Sequence, residues 1–348
     1  MNNNIYNNEA INGELPGYNI NYVYNIKNPQ NKNNIGIPTY NYQFNNNINY
    51  NYKENNYYAS KNNINNIPKN MINYGYQINN EITNDNDKKE YYKESNGGLV
   101  KSYAFYEYQN IKKKDYIEFK SIENLNGDQN KLLFCLFNGH GGHEVSKFLQ
   151  DYFAIYMKKL FPFKNITQDI SKLFNILDEK ILQLNVPNVG ATATIVYIES
   201  INGKRRLNCV NVGNNKCLLI NKKGIWKISN EHRIDDPEEH KRIIRKGGII
   251  NIEQCFGKLS SSRSLGDWSF KKYGGIISEP HISIIDINDE DLYLIIGAEK
   301  IWKYVKDEEC LKLVNLNKDP LEICKKISID LLNRGCSYNI GSVVIKFK

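Results

Sequence analysis

Residues Leu132 to His143 read LLFCLFNGHGGH. A run of apolar residues ends abruptly in Asn138-Gly139-His140-Gly141-Gly142. Periodicity alone does not type so short a run, but its length and the glycines behind it favour a buried strand. Such a strand delivers its last side chain to a sheet edge, and glycine lets backbone approach a ligand closely there. An acidic residue at that last position would suit a metal ion. The residue is Asn138.

Downstream, Val145, Leu149, Phe153 and Met157 recur at helical spacing within His143 to Leu160 and give that helix one apolar face. Ile170, Leu173, Phe174, Leu177 and Ile181 mark a second helix, ended by Pro187 and Gly190. Closely spaced strands follow at Ala191 to Glu199, Arg205 to Val212, Lys216 to Ile220 and Ile225 to Ile228, with Asn202-Gly203 and Lys223-Gly224 as turn signals. Connections this short imply antiparallel pairing, because parallel strands need long crossovers. Pro237 to Lys246 reads as a short helix before Gly247-Gly248. Strands return at Ile282 to Ile287, Leu292 to Ile296 and Ser342 to Phe347, with helices near Lys306 to Val314 and Pro320 to Asn333. Upstream, Leu99 to Tyr106 reads as the first strand. Two groups of helices around antiparallel strands make a layered α+β domain over residues 96–348.

Residues 1–95 are different material. NYNYQFNNNINYNYKENNYY is typical of them, and no helical or strand period is sustained. Such a tract buries too little apolar area to offset chain entropy, so the expectation is a disordered Asn/Tyr-rich, low-complexity extension. Polar-aromatic alternation can support self-association or stacking on single-stranded nucleic acid, but composition is the whole of that signal, and an inert extension is the favoured reading.

The net charge of +8 is spread without a long Lys/Arg block, so no specific nucleic-acid partner is expected. Seven cysteines are scattered with no C-x-x-C pair, which fits a reduced intracellular protein better than a disulfide scaffold. The start MNNNIYNNEAING has neither a basic nor an apolar leader region, and Asn2 rules out N-myristoylation. No apolar run approaches the ~20 residues of a membrane span. The expectation is no membrane partner and a cytoplasmic or nuclear location.

Taken together, the motifs resemble the protein phosphatase 2C family of metal-dependent serine/threonine phosphatases. Asn138-Gly139-His140-Gly141-Gly142 resembles that family's Asp-Gly-His-Gly-Gly, Gly190-Ala191-Thr192-Ala193 its Gly-x-Thr-Ala strand, and Asn211-Val212-Gly213-Asn214-Asn215 its Asn-Val-Gly-Asp-Ser turn. Ser262 to Asp267, SRSLGD, is similar to Ser-Arg-Ala-Leu-Gly-Asp. Glu279-Pro280 follows in order, then Leu294 to Trp302 and Asn339 to Val344. The resemblance runs from about Gly97 to the C-terminus. It implies a four-layer α-β-β-α sandwich, two antiparallel sheets flanked by helix pairs, with a metal site at one sheet edge.

The family it resembles hydrolyses phosphoserine and phosphothreonine with two Mg²⁺ or Mn²⁺ ions roughly 4 Å apart, held by five carboxylates, some through water. The resemblance places those positions on residues that have largely changed. The bridging Asp falls on Asn138, a Glu-Asp pair on Glu107-Tyr108, a third Asp on Glu299 followed by Lys300, and the last on Asn339. The phosphate-contacting Arg falls on Tyr103. Gly139, whose carbonyl ligates metal in the family, and His140, its candidate general acid, are retained. An amide oxygen brings no charge and does not bridge two cations as a carboxylate does, and loss of even an outer partner costs roughly 10- to 100-fold in affinity or activity. A two-metal centre is therefore not expected.

The leading reading is a catalytically impaired or inactive pseudophosphatase that binds a phosphoprotein, a kinase or a phosphatase. Arg263, Lys300 and Lys303 are its phosphate-binding candidates. The alternative is an active phosphatase in which Glu107, Asn138 and Glu299 hold one Mg²⁺ or Mn²⁺ ion. His140 is then either a general acid or a relic held by backbone hydrogen bonds. Glu107 and Glu299 either keep an ion or are solvated or paired with Lys300, and Arg263 and Asp267 read as a structural pair. In a third reading the N-terminal extension carries the function and the domain serves as scaffold.

Overall fold

The computed structural model describes residues 88–348 except 96–97, 111–114, 252–253 and 256–258, together with short strands at 12–15, 18–21 and 83–85. The chain divides into two units, Met1–Gln77 and Ile78–Lys348. In the first, β1 (Asn12–Leu15) and β2 (Tyr18–Asn21) pair antiparallel, Leu15 opposite Tyr18. The rest of the first unit, over which an Asn/Tyr-rich disordered extension is expected, lies outside the described residues.

In the second unit the chain order is β3 (Thr83–Asp85), β4 (Lys88–Glu94), β5 (Ser102–Tyr108), β6 (Asp115–Glu123) and β7 (Lys131–His140), then helices α1 (Glu144–Lys158) and α2 (Ile166–Leu182). Strands β8 (Gly190–Ile201), β9 (Lys204–Val212), β10 (Lys216–Asn221) and β11 (Gly224–Lys227) follow, then α3 (Pro237–Arg245), β12 (Ile250–Asn251), β13 (Gln254–Cys255), β14 (Leu265–Gly266) and α4 (Trp268–Lys271). The chain closes with β15 (His281–Ile287), β16 (Asp291–Gly297), α5 (Glu299–Tyr304), α6 (Asp307–Leu316), α7 (Pro320–Asn333) and β17 (Ile340–Lys346). One sheet runs β11-β10-β16-β17-β5-β4-β3 and the other β15-β9-β8-β7-β6, with β14 added against β8. All the strand pairs of these two sheets are antiparallel.

Strand β7 shows why its apolar run is unbroken. Leu132, Phe134 and Leu136 enter a core shared by both sheets, whereas Leu133, Cys135 and Phe137 enter a second core against α1 and α2. Side chains alternate faces along a strand, so a strand covered on both sides is apolar at every position. A third core joins the outer face of the first sheet to α5, α6 and α7. The four-layer α+β sandwich is therefore present. Helix starts are set by caps: Asn165 accepts from the Gln168 amide, and Asp236 and Asp319 each accept two amides in front of a proline at the first helical turn.

The domain begins earlier than residue 96. Lys88–Glu94 pairs with Ser102–Tyr108, Lys89 opposite Glu107. Tyr91 enters the inter-sheet core and lies 5.9 Å from the rings of both Tyr103 and Phe119. Lys93 makes an ion pair with Glu123 of β6 at 2.9 Å. Strand β4 thus faces β6 across the sandwich, a role its charged sequence KKEYYKE conceals. All seven cysteines are buried. Among the described residues no helix is long and apolar enough to cross a membrane.

Candidate functional site

The alternation that fills the inter-sheet core also aims the site. On β7 the inward series Leu132, Phe134, Leu136 continues to Asn138, and on β5 Tyr103 and Phe105 continue to Glu107. Asn138 pairs with Ile117 of β6 and Thr192 of β8, and Glu107 pairs with Gly341 of β17. A Cβ at Gly341 would stand 2.6 Å from the Ile117 side chain, so the two sheets touch at this level. Asn138 and Glu107 are 7% and 1% exposed. Tyr103, at the position implied for a phosphate-contacting Arg, is buried in the core, its ring edge-on to Phe134 at 4.7 Å.

Each residual carboxylate has a lysine. Lys89 Nζ lies 3.0 Å from Glu107 Oε2 and reaches the Ile117 carbonyl at 3.5 Å. Gln109 donates weakly to the same oxygen at 3.4 Å, while Glu107 Oε1 is buried without a hydrogen-bond partner. Burial pushes the Glu107 carboxyl above its ordinary pKa, with Lys89 the main opposing influence. Burial acts against the Lys89 charge, but Glu107 and Glu118 outweigh it and hold the ammonium above its usual value. Glu299, 8% exposed at the start of α5, has Lys300 on Oε2 at 2.9 Å and Lys303 on Oε1 at 3.1 Å. Burial raises its pKa, yet Lys300 and Lys303 hold it below the usual carboxylate value. Asn339 Oδ1 accepts the Asn110 amide at 2.7 Å, closing the loop after β5.

His140 Nε2 lies 2.7 Å from Oδ2 of Asp267, which is fully buried, and Ser264 Oγ donates to the same oxygen at 2.6 Å. A buried carboxylate, rather than backbone alone, holds His140. This corrects the Arg263–Asp267 pairing. Arg263 instead forms a bidentate ion pair with Glu239 of α3, with contacts from 2.6 to 3.2 Å, and donates to the Glu279 carbonyl at 3.0 Å. Arg263, Lys300 and Lys303 therefore each face a carboxylate, and an anion would have to compete for them. Sequence neighbourhood misled here, because the Arg263 partner stands on a helix 24 positions upstream.

The cleft beside Glu299 is lined by Asn214, Arg233, Asp235, Ser260, Glu299 and Lys303. Asn214 donates to Ser260 at 3.1 Å and Ser260 to Glu299 Oε1 at 3.3 Å. Arg233 is bidentate on Asp235 at 2.7 and 2.8 Å. The positive and negative side chains balance, and the cavity of 20 Å³ is about the space of one water. Asn214 stands where the resembled turn carries Asp, so the motif itself signalled it; Lys89, Arg233 and Ser260 had no such signal.

The donor set does not fit two hard dications. Both oxygens of Glu299 are taken by ammonium groups, one oxygen of Glu107 is taken by Lys89, and Asn339 spends its carbonyl on Asn110. Asn138 Oδ1 is buried and without a hydrogen-bond partner, but an amide brings no charge. Among the described residues no group of three or more His, Cys, Asp or Glu converges as a metal site.

Comparison with known proteins places this architecture. Residues 101–340 match the family Protein phosphatase 2C, and the chain belongs to that family. Its members normally use Mg²⁺ or Mn²⁺. Probable protein phosphatase 2C 17 of Arabidopsis thaliana is 26% identical, with 74% of this chain and 92% of that one covered. Probable protein phosphatase 2C 2 of Paramecium tetraurelia is 25% identical over 70% of this chain and 88% of its own. The chain spans about half, 52%, of the length of probable protein phosphatase 2C 52 of rice, Oryza sativa subsp. japonica. Among solved structures, a phosphatase from a pathogenic strain of Toxoplasma gondii superposes with a TM-score of 0.62 at 18% identity, covering 75% of this chain and 95% of that one. A C. elegans sex determining protein superposes at 0.61 and 19% identity, with 71% of this chain and 64% of that one covered. These structural likenesses speak for the fold.

Proposed function

We propose that this protein phosphatase 2C-like chain is a pseudophosphatase, catalytically impaired or inactive, that works by binding phosphoproteins or signalling partners such as a kinase or a phosphatase in the cytoplasm or nucleus. One observation carries the reading: of the five positions at which the family holds carboxylates, Asn138, Asn339 and Tyr108 bring no charge, and Glu107 and Glu299 are already ion-paired. Two dications at such a site lack the negative charge that hard cations require. The retained His140 is accounted for by its bond to Asp267 and needs no catalytic role.

A second reading, an active serine/threonine phosphatase with an atypical Mg²⁺ or Mn²⁺ site, draws support from Asn138 Oδ1 and Glu107 Oε1, two buried oxygens without hydrogen-bond partners. Turnover separates the two. Purified full chain, shown by intact mass to be free of deamidation at Asn138-Gly139, is assayed with Mn²⁺ on a phosphothreonine peptide. The first reading expects no turnover above background. Turnover abolished by Glu299→Ala establishes the second.

A further inference from the structure

We infer that Lys89 and the Lys300–Lys303 pair are tethered replacements for divalent cations: ammonium groups of the chain itself neutralise the two carboxylates left at the site and keep metal out. The inference rests on the pseudophosphatase reading and says how the fold tolerates it. A carboxylate as buried as Glu107 requires a counter-charge or it neutralises. That charge comes from Lys89 at 3.0 Å, on a strand that precedes the residues matching the family. The Lys89 ammonium also reaches the carbonyl of Ile117, the strand partner of Asn138, so it links β5 to β6 one strand away from Asn138. At Glu299 the two carboxylate oxygens are divided between Lys300 and Lys303, at 2.9 and 3.1 Å. An incoming ion must displace groups that are covalently held beside their partners, at an effective concentration of about millimolar or more.

The pattern also explains why losing Asp at 138 and 339 need not unfold the domain. With fewer carboxylates there is less repulsion to offset, and one ammonium at Glu107 and two at Glu299 supply the counter-charge a dication would bring. Removing a lysine then leaves an uncompensated buried charge, which is the costly half of a buried pair.

The test uses the full chain with Lys89→Met and Lys300→Met combined, melted in EDTA and in millimolar Mn²⁺. In EDTA the variant is expected to lose on the order of 10 °C in Tm. Mn²⁺ is expected to restore much of that loss while leaving the wild type unmoved. Adding Glu107→Gln should raise Tm in EDTA and remove most of the response to Mn²⁺. A variant whose Tm is the same with Mn²⁺ as in EDTA overturns the proposal, as does a wild type stabilised by Mn²⁺ as much as the variant. Should the double variant not fold in EDTA, Lys300→Met alone is read the same way, since Glu299 then keeps Lys303. These readouts involve no turnover, so they fail independently of the catalytic reading, which falls only if the wild type hydrolyses phosphopeptide.

Discussion

His140 Nε2 and Asp267 Oδ2 stand 2.7 Å apart, and that contact joins the end of β7 to the turn between β14 and α4. Asp267 is a non-glycine residue at φ 55°, held there by the hydrogen bond its N–H donates to the Val189 carbonyl and by Ser264. The most recognisable residue of the glycine-rich turn is thus fixed by a buried acid. Asp267→Ala removes the acceptor of both His140 and Ser264. It is expected to cost ~2–4 kcal/mol in urea unfolding, the price of stranding buried polar groups. A cost within ~0.5 kcal/mol would mean that the contact does not organise the site.

Gly190 is confined by the same acid. A Cβ there would stand 2.2 Å from Asp267 Oδ2 and 2.4 Å from its carboxyl carbon. Gly190 is also the strand partner of both His140 and Gly266, so the backbone has little room to yield. Gly190→Ala should therefore destabilise by at least ~2 kcal/mol, as overpacked cores do. Thermal melts of Gly190→Ala beside Ala193→Gly, which removes a methyl from the same strand, separate overpacking from a general weakening of β8.

Arg263 holds α3 to the sandwich. Its guanidinium and that of Arg242 share Glu239, and Ser262 Oγ donates to the same carboxylate at 2.6 Å. Burial would raise the Glu239 carboxyl, but Arg263 and then Arg242 hold it far below the usual range, so its contribution is full above pH ~4.5 and fades as the solution is acidified further. Arg263→Ala leaves a partly buried carboxylate with only Arg242 and Ser262 as partners and is expected to cost ~2–4 kcal/mol. Arg263→Lys should recover only part of this, because one ammonium does not replace a bidentate fork. Equal stability of Arg263→Ala and wild type would return Arg263 to the role of a free phosphate ligand.

His232 gives the domain an acid-sensitive point. It is fully buried, and its Nδ1 accepts the Gly213 amide at 3.1 Å, which requires an unprotonated nitrogen. Burial first, then the charge of Arg263, pushes its pKa down to about 3, against support from Glu239. The unfolded chain therefore binds a proton that the folded chain refuses between about pH 6.5 and 3. Stability is intact above pH ~6.5 and falls as pH drops, by a few kcal/mol, to order of magnitude, by about pH 4. His232→Asn keeps an acceptor and cannot be charged, so its unfolding free energy should decline less over that window. Identical pH slopes would assign the acid sensitivity elsewhere.

How much of this was legible follows from what each residue's neighbours do. The apolar run of β7 announces a strand buried on both faces, and the alternation of inward side chains along β7 and along β5 carries Asn138 and Glu107 to the inner faces of their two sheets. Helices α1 and α2 followed from their apolar periodicity. Strand β6 escaped notice although Ile117 and Phe119 alternate with polar residues, because the alternation is short. Strand β4 escaped because only Tyr91 of its seven residues is buried, the rest being charged or aromatic edge. With β4 unseen, Lys89 was invisible as well, since its partner Glu107 is adjacent only through strand pairing. The ion pairs of Lys300 with Glu299 and of Lys303 one helical turn on are local, and the first of them was open to sequence reasoning. The Glu239–Arg263 pair depends on where α3 folds back, which spacing does not reveal.

Whether this site binds two dications is the central question. Isothermal titration of Mn²⁺ into metal-stripped full chain, intact at Asn138, answers it. No saturable binding is expected at micromolar Mn²⁺, because Glu107 and Glu299 are already neutralised by Lys89, Lys300 and Lys303. Saturation at two ions per chain, lost in Glu107→Gln and Glu299→Gln, would contradict it.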